Sequence, residues 1–516
     1  MDAQQVRRSS PEPQAAGCPT AVRCAPHALR GKEIVVGDVA VISPRHDPQY
    51  EASTQSRLVV DEVLRCRKKA QFGPQLDPYR LSNTLSALAR KHQVPGAQLA
   101  IHHGGVTIAV EVGELQYETG RPVTRDAAFP IGSIAKTFTA TLAMILVADG
   151  DLELDAPLGE HVPELGGLGD ELTLLQLLSH TGGFADGPGS EGVLTASLRR
   201  YVSDHCVPQN LVLPPGTGFS YSNMGYVLVG HLIETITGMT WWDAMESILL
   251  RPLGIEPRFV GVSGRRPLAT GHSVNTAVGR IRPVSQSLPL ALAPAGGLAM
   301  SAVDLVALGL IQLDGHTPAL LPAEYAKQMR HAVPNAEPIG WADGSGLGLA
   351  LFGTADTAWV GHLGRLTGTV SNVRIDPASG CVVAFNSNAN VGADMWDELV
   401  GELRAAGLLI KDYSHSEVLG RSTVYSPGCA GSYLNGAIEW SVVAADTGAL
   451  SLINGDVRTD LVLFDDLSFA TRDQPSTRFG RFLRDSATGE FERIQVNMYV
   501  GRRCPYVRTG MSMGVV

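Results

Sequence analysis

The sequence predicts an α+β domain over residues 76–412, followed by a separate all-β module over 418–516. Three observations lead there. A chain of 516 residues exceeds what one compact core holds, so two or three units are expected. In the first region, strand-like segments at both ends enclose a run of helical ones, which places both ends in one sheet. From about Val418 the pattern changes to short alternating segments split by Gly, Asp and Asn, the pattern of a small barrel.

Each element has its own warrant. Residues 1–55 or so are rich in Pro, Ser, Arg and Ala, and a variable, partly disordered extension is expected over 1–75. Within it "EIVVGDVAVI" reads as one strand and "TQSRLVVDEVLRCRKKAQF" as a short linking helix. "DPYRLSNTLSALARKHQ" carries apolar residues at helical spacing. "VPGAQLAIHHGG" and "VTIAVEVGELQ" form a hairpin joined at the glycines. A strong helix is expected from Ser133 to about Ala148, then a short one in "LTLLQLLSHTGGF", stopped by Thr181-Gly182-Gly183. "NMGYVLVGHLIETITG" and "TWWDAMESILLRPLG" read as two more. Ser301, with Asp304 three residues on, caps another. "TAWVGHLGRLTGTVSNVRIDPASGCVVAFNSNA" reads as successive strands with turns at Gly364, Gly368 and Ser379-Gly380, and "ADMWDELVGELRAAGL" closes the domain as a helix.

Composition narrows the function. A net charge of −10 disfavours a nucleic-acid or membrane partner. Seven scattered cysteines, with no C-x-x-C pair and no His at zinc spacing, read as reduced thiols and imply no metal. The first residues contain no apolar signal-peptide core and no apolar run reaches membrane-spanning length, so a cytoplasmic protein is expected.

The chemistry concentrates in "FPIGSIAKTF". A Ser at a helix start is usually a cap. Lys136, three residues after Ser133, lies on the same face and reaches its hydroxyl. Burial at the positive end of a helix would lower the lysine pKa and make it a base for a serine nucleophile. Of seven lysines, Lys136 alone follows a Ser at this spacing. A second stretch, "FSYSNMGY", offers Tyr221 as a proton relay and Asn223 as a partner to Lys136 and to a substrate carbonyl. The same tripeptide spacing recurs at Tyr433-Leu434-Asn435, where it reads as chance. A third stretch, His362-Leu363-Gly364, lies in a long strand able to offer an oxyanion its backbone N–H.

Together these pieces resemble the serine β-lactamase and penicillin-binding-protein superfamily, in its class C-like branch. "LTLLQLLSHTGGF", "PGTGFSYSNMGYVLVGHLIE", "LLRPLGI" and "APAGGLAMSAVDL" all look like that branch. The resemblance implies an α/β sandwich with a helical subdomain and a Ser133 acyl-enzyme. Lys136 and Tyr221 would move protons, and the oxyanion would sit between the backbone N–H groups of Ser133 and Arg365. Members that bind β-lactams usually carry Lys-Thr-Gly where this chain has His362-Leu363-Gly364, and Leu363 cannot hydrogen-bond. That departure resembles esterases, D-aminopeptidases and, most of all, the penicillin-binding-protein-type thioesterases that cyclise nonribosomal peptides. The likeness to these thioesterases implies a lipocalin-like C-terminal module and, as partner, a peptidyl carrier protein bearing a thioester-linked peptide. It implies no cofactor. Gly364, with Arg481 and Arg484 in "RFGRFLRD", are candidates to touch substrate. Class C-like carboxylesterase, D-aminopeptidase and β-lactamase remain alternatives, as does an inactive binding or regulatory relative.

Overall fold

The computed structural model describes residues 76–504 except 314–315, 317–318, 354–357, 414–426, 446–447, 473–476 and 486–487. The strand and helix expected before residue 76 lie outside the described residues. Asp77 opens helix α1 (Pro78–Lys91): its carboxylate accepts the Tyr79 N–H at 2.8 Å. Pro78 takes the first helical position, where its missing N–H costs nothing. Leu81, Leu85, Leu88 and Ala89 form the buried stripe.

Strands β1 (Gly96–His103) and β2 (Val106–Gly113) make the expected hairpin. The chain returns to their sheet only after the helical part, as β3 (Gly344–Ser345), β4 (Ala350–Phe352), β5 (Trp359–Leu366), β6 (Thr369–Asp376) and β7 (Cys381–Ser387). The order is β2-β1-β7-β6-β5-β4-β3, with antiparallel neighbours throughout, so the two ends of the domain do share one sheet. Side chains alternate across it, as a period of two requires. Ala100, Val373, Val382 and Ala384 join the core built with α2 (Ala135–Ala148) and α6 (Ala302–Ile311). Leu99, Ile101, Val383 and Phe385 join the core under α1 and α7 (Gly392–Ala405).

Between β2 and β3 lies the helical part, which includes α2, α3 (Leu174–Leu178), α4 (Leu198–His205), α5 (Asn223–Thr237) and α6. Thr173 and Gln176 cap α3 reciprocally, and Ser301 and Asp304 do so for α6. Three readings change. Ser133 lies in a 3-10 turn, Gly132–Ile134, ahead of α2, not in the helix itself. Gly364 sits inside β5 and is no turn. The short strands β3 and β4 had no sequence signal, because two or three residues in a Gly-rich run give no countable alternation.

The C-terminal module is a closed eight-stranded barrel: β8 (Gly431–Asn435), β9 (Ile438–Ala444), β10 (Leu450–Asn454), β11 (Val457–Leu463), β12 (Ser468–Thr471), β13 (Phe479–Arg484), β14 (Phe491–Val496) and β15 (Tyr499–Arg503). Each strand pairs with the next, and β15 closes on β8 through Tyr433 opposite Arg503. Tyr433, Trp440, Phe469, Phe482 and Phe491 pack its interior, and closure leaves no edge strand exposed.

Candidate active site

The turn before α2 is built on two close approaches. Gly132 has φ +50°, and a Cβ there would fall 2.4 Å from the Arg365 carbonyl oxygen and 2.7 Å from the Arg365 nitrogen. A Cβ on Gly364 would meet the Ile131 carbonyl oxygen at 1.7 Å. The two glycines therefore let β5 lie directly against the turn, with the Arg365 backbone beside Ser133. β4 pairs with β5 only as far as Gly361, so the stretch from His362 onward faces the turn instead. An oxyanion site between the Ser133 and Arg365 N–H groups would lie at this approach.

Ser133 caps nothing: no side chain accepts from the first turn of α2. Lys136, fully buried, holds its Nζ 3.2 Å from Ser133 Oγ, 2.6 Å from Asn223 Oδ1 and 2.9 Å from the Ala295 carbonyl oxygen. Burial draws its pKa down to about 7, and the nearby Asp186 carboxylate pulls the other way. In the neutral form the amine has two N–H donors, which Asn223 and Ala295 occupy, and one lone pair left toward Ser133.

Tyr221 reaches the same point from the loop before α5. Burial pushes its phenol far above its ordinary range, while the Ser133 hydroxyl pulls part of the way back. The phenol is thus a proton donor at any working pH. Its ring stacks on His180 at 4.3 Å and passes 4.8 Å from Lys136 Nζ. His180, at φ +59°, accepts the Ser222 N–H on Nδ1 at 3.2 Å, and burial first, then Lys136, keeps it neutral.

Asn223 donates from Nδ2 to Asp186 Oδ1 at 2.8 Å, and its own backbone N–H reaches the same oxygen at 3.2 Å. Burial raises the Asp186 pKa, against the pull of Lys136. His362 stands at the wall of the site. Its ring packs edge-on to Trp341 at 5.2 Å, and burial drops its pKa to about 3, so it is neutral. Behind β5, buried Arg374 donates to the His362 carbonyl and pairs with Asp412 at 2.8 Å. A cavity of about 400 Å³ opens beside Leu363 and Arg365, against Trp341, Trp396 and Asp397.

The beta-lactamase family model matches residues 81–406 of this chain. The chain belongs to the beta-lactamase family. Members of this family are serine hydrolases. The chain is 34% identical over 336 residues to a penicillin-binding protein 4 of Amycolatopsis lactamdurans, covering 61% of this chain and 88% of that one. Among solved structures it is similar to SurE, with 38% identity and a TM-score of 0.75 over 83% of this chain and 99% of SurE. That is a larger share than residues 76–412 occupy. SurE with D-Leu gives 37% and 0.74 over the same shares.

Within this beta-lactamase fold the structure gathers Ser133, Lys136, Tyr221 and Asn223, with His362, Gly364 and Arg365 on the facing strand. It places the two barrel arginines elsewhere. Arg481 pairs with Glu337 at 2.7 Å, and Arg484 stacks on Phe491 and donates to the Gly489 carbonyl. Neither hydrogen-bonds to the Ser133 cluster. Asp186 and Trp341 went unnoticed in the sequence. Asp186 sits in the Gly-rich "FADGPGS", where a carboxylate reads as solvated. His180 had a weak signal, as a His ending a helix in a phrase typical of the family.

Among the described residues no group of three His, Cys, Asp or Glu side chains could hold a metal, and no helix is long and apolar enough to cross a membrane.

Proposed function

We propose that this protein is a stand-alone cytoplasmic thioesterase that takes a peptide from a peptidyl carrier protein and releases it as a head-to-tail macrocycle. One observation carries the reading: the acyl-transfer half of the site is complete, while β5 presents Leu363 where a β-lactam carboxylate would need a hydrogen-bonding side chain. The likeness to SurE, whose structure with D-Leu is among those similar, supports a peptide with a D-configured C-terminal residue.

The chemistry follows from the geometry. Neutral Lys136 takes the Ser133 proton as Oγ attacks the thioester carbon. The Ser133 and Arg365 N–H groups hold the tetrahedral oxyanion. Collapse breaks the C–S bond; the thiolate takes the Tyr221 proton, and Lys136 restores it. The peptide's own amine then attacks the Ser133 ester, gives its proton back through Lys136, and the Ser133 oxygen leaves reprotonated. Holding the amine at the ester replaces a bimolecular step by an intramolecular one, worth on the order of 7–11 kcal/mol.

The test offers a linear peptidyl thioester ending in a D residue, beside its L epimer, a short-chain ester and nitrocefin. A cyclic product from the D substrate alone is expected, with mass equal to the peptide less water. Turnover of the ester or nitrocefin without any cyclic product would sink the cyclase reading and leave a hydrolase.

A further inference from the structure

The barrel touches the catalytic domain at the two loops that carry the site. The turn between β14 and β15 accepts the Tyr221 N–H on the Met498 carbonyl at 2.9 Å, and the Tyr499 ring meets the Tyr221 ring edge-on at 5.8 Å. The end of β8 and the turn after it do more. Asn435, wholly buried, accepts the Asp186 N–H on Oδ1 at 2.8 Å. Its Nδ2 donates to the Val500 carbonyl at 2.8 Å and reaches Ser220 Oγ at 3.5 Å. Next to it, a Cβ on Gly436 would strike the Gly187 carbonyl oxygen at 2.4 Å, so the two backbones are in contact.

A continuous path results: Asn435 to the Asp186 backbone, Asp186 carboxylate to Asn223, Asn223 to Lys136, Lys136 to Ser133. Without a fixed Asp186, Asn223 could turn its amide and offer Lys136 a different atom. The structure assigns Asn435 as a positioning residue of the acyl-transfer site: by fixing the Asp186 loop it sets, through Asn223, where the Lys136 amine stands relative to Ser133. The inference rests on the reading of Ser133 as nucleophile, not on the cyclase reading.

The groups facing Lys136 are Asp186, His180, His362, Tyr221 and Tyr226. The two histidines stay neutral and both phenols protonated, so the acid limb of Ser133 reactivity reports Lys136 and Asp186.

The experiment measures the rate of Ser133 labelling by a fluorophosphonate across pH, by intact mass, on the full chain. Asn435→Ala is compared with Arg493→Ala, which removes another bond across the same seam, Arg493 Nε to the Val212 carbonyl at 2.8 Å. Asn435→Leu keeps the volume of the side chain but removes both the acceptor for Asp186 and the donor to Val500. It serves as the second variant should Asn435→Ala not fold. Expected is a loss of about tenfold or more in the Asn435 variants, with a displaced acid limb, because small misplacements of reacting groups cost that much. Arg493→Ala should stay near the wild-type rate and limb. Asn435 variants that melt lower yet label like Arg493→Ala, with the same limb, overturn the inference and leave Asn435 a packing residue. A wild type that takes no label sinks the acyl-enzyme reading and this inference with it.

Discussion

Tyr221-Ser222-Asn223 and Tyr433-Leu434-Asn435 have the same spacing and opposite backbones. The first runs from a loop into α5, so that Tyr221 and Asn223 both turn toward Lys136. The second is a strand, so its side chains alternate. Tyr433 and Asn435 then share a side of β8, near opposite roles. Tyr433 points into the barrel and donates to the Cys429 carbonyl at 2.8 Å, while Asn435, at the strand's end, leaves the barrel for Asp186. Both asparagines finish on the same aspartate, one on its carboxylate and one on its N–H. A motif therefore has no role apart from the backbone that aims it.

Breaking the first copy's partnership should have the largest effect. Lys136→Ala removes the base and should slow Ser133 labelling by about 10²–10⁴-fold. In the wild type, labelling should climb as pH rises through about 7, because the base is the neutral amine and burial sets its pKa there. A rate flat from pH 5 to 9 would rule out Lys136 as the titrating base. Asp186→Asn sharpens the link between the copies. It deletes the anion that props the Lys136 pKa up, so the acid limb should move to lower pH while the Asp186 backbone bond to Asn435 survives. Movement to higher pH would contradict the charge arrangement. The smallest effect belongs to the second copy's tyrosine. Tyr433→Phe withdraws a buried donor from Cys429 and should cost about 1–3 kcal/mol of stability, read as a lower melting temperature, with labelling unchanged.

What the sequence made legible was local. Ser133 and Lys136 are three residues apart, so one helical turn decides their meeting. The α+β order could be read because strands at both ends of a domain need partners. What it concealed depended on long closures. Asp186 acquires meaning only once α5 brings Asn223 beside it and the barrel brings Asn435. Gly364 was read as punctuation, as glycines usually are; its purpose is the contact with Ile131, which no spacing rule encodes. The sequence offers Arg481 and Arg484 as candidates to touch substrate. In the folded chain Arg481 pairs with Glu337 and Arg484 stacks on Phe491, contacts that no local spacing announces.

The third partner of Lys136 is a carbonyl, not a side chain. Ala295 O holds the amine at 2.9 Å, and the preceding carbonyl, of Pro294, accepts the Thr139 hydroxyl at 2.8 Å. A scan replacing one side chain at a time would pass over position 295 as an inert methyl and find the tether of the base nowhere. Only an edit to the main chain, such as an ester in place of an amide, would loosen it.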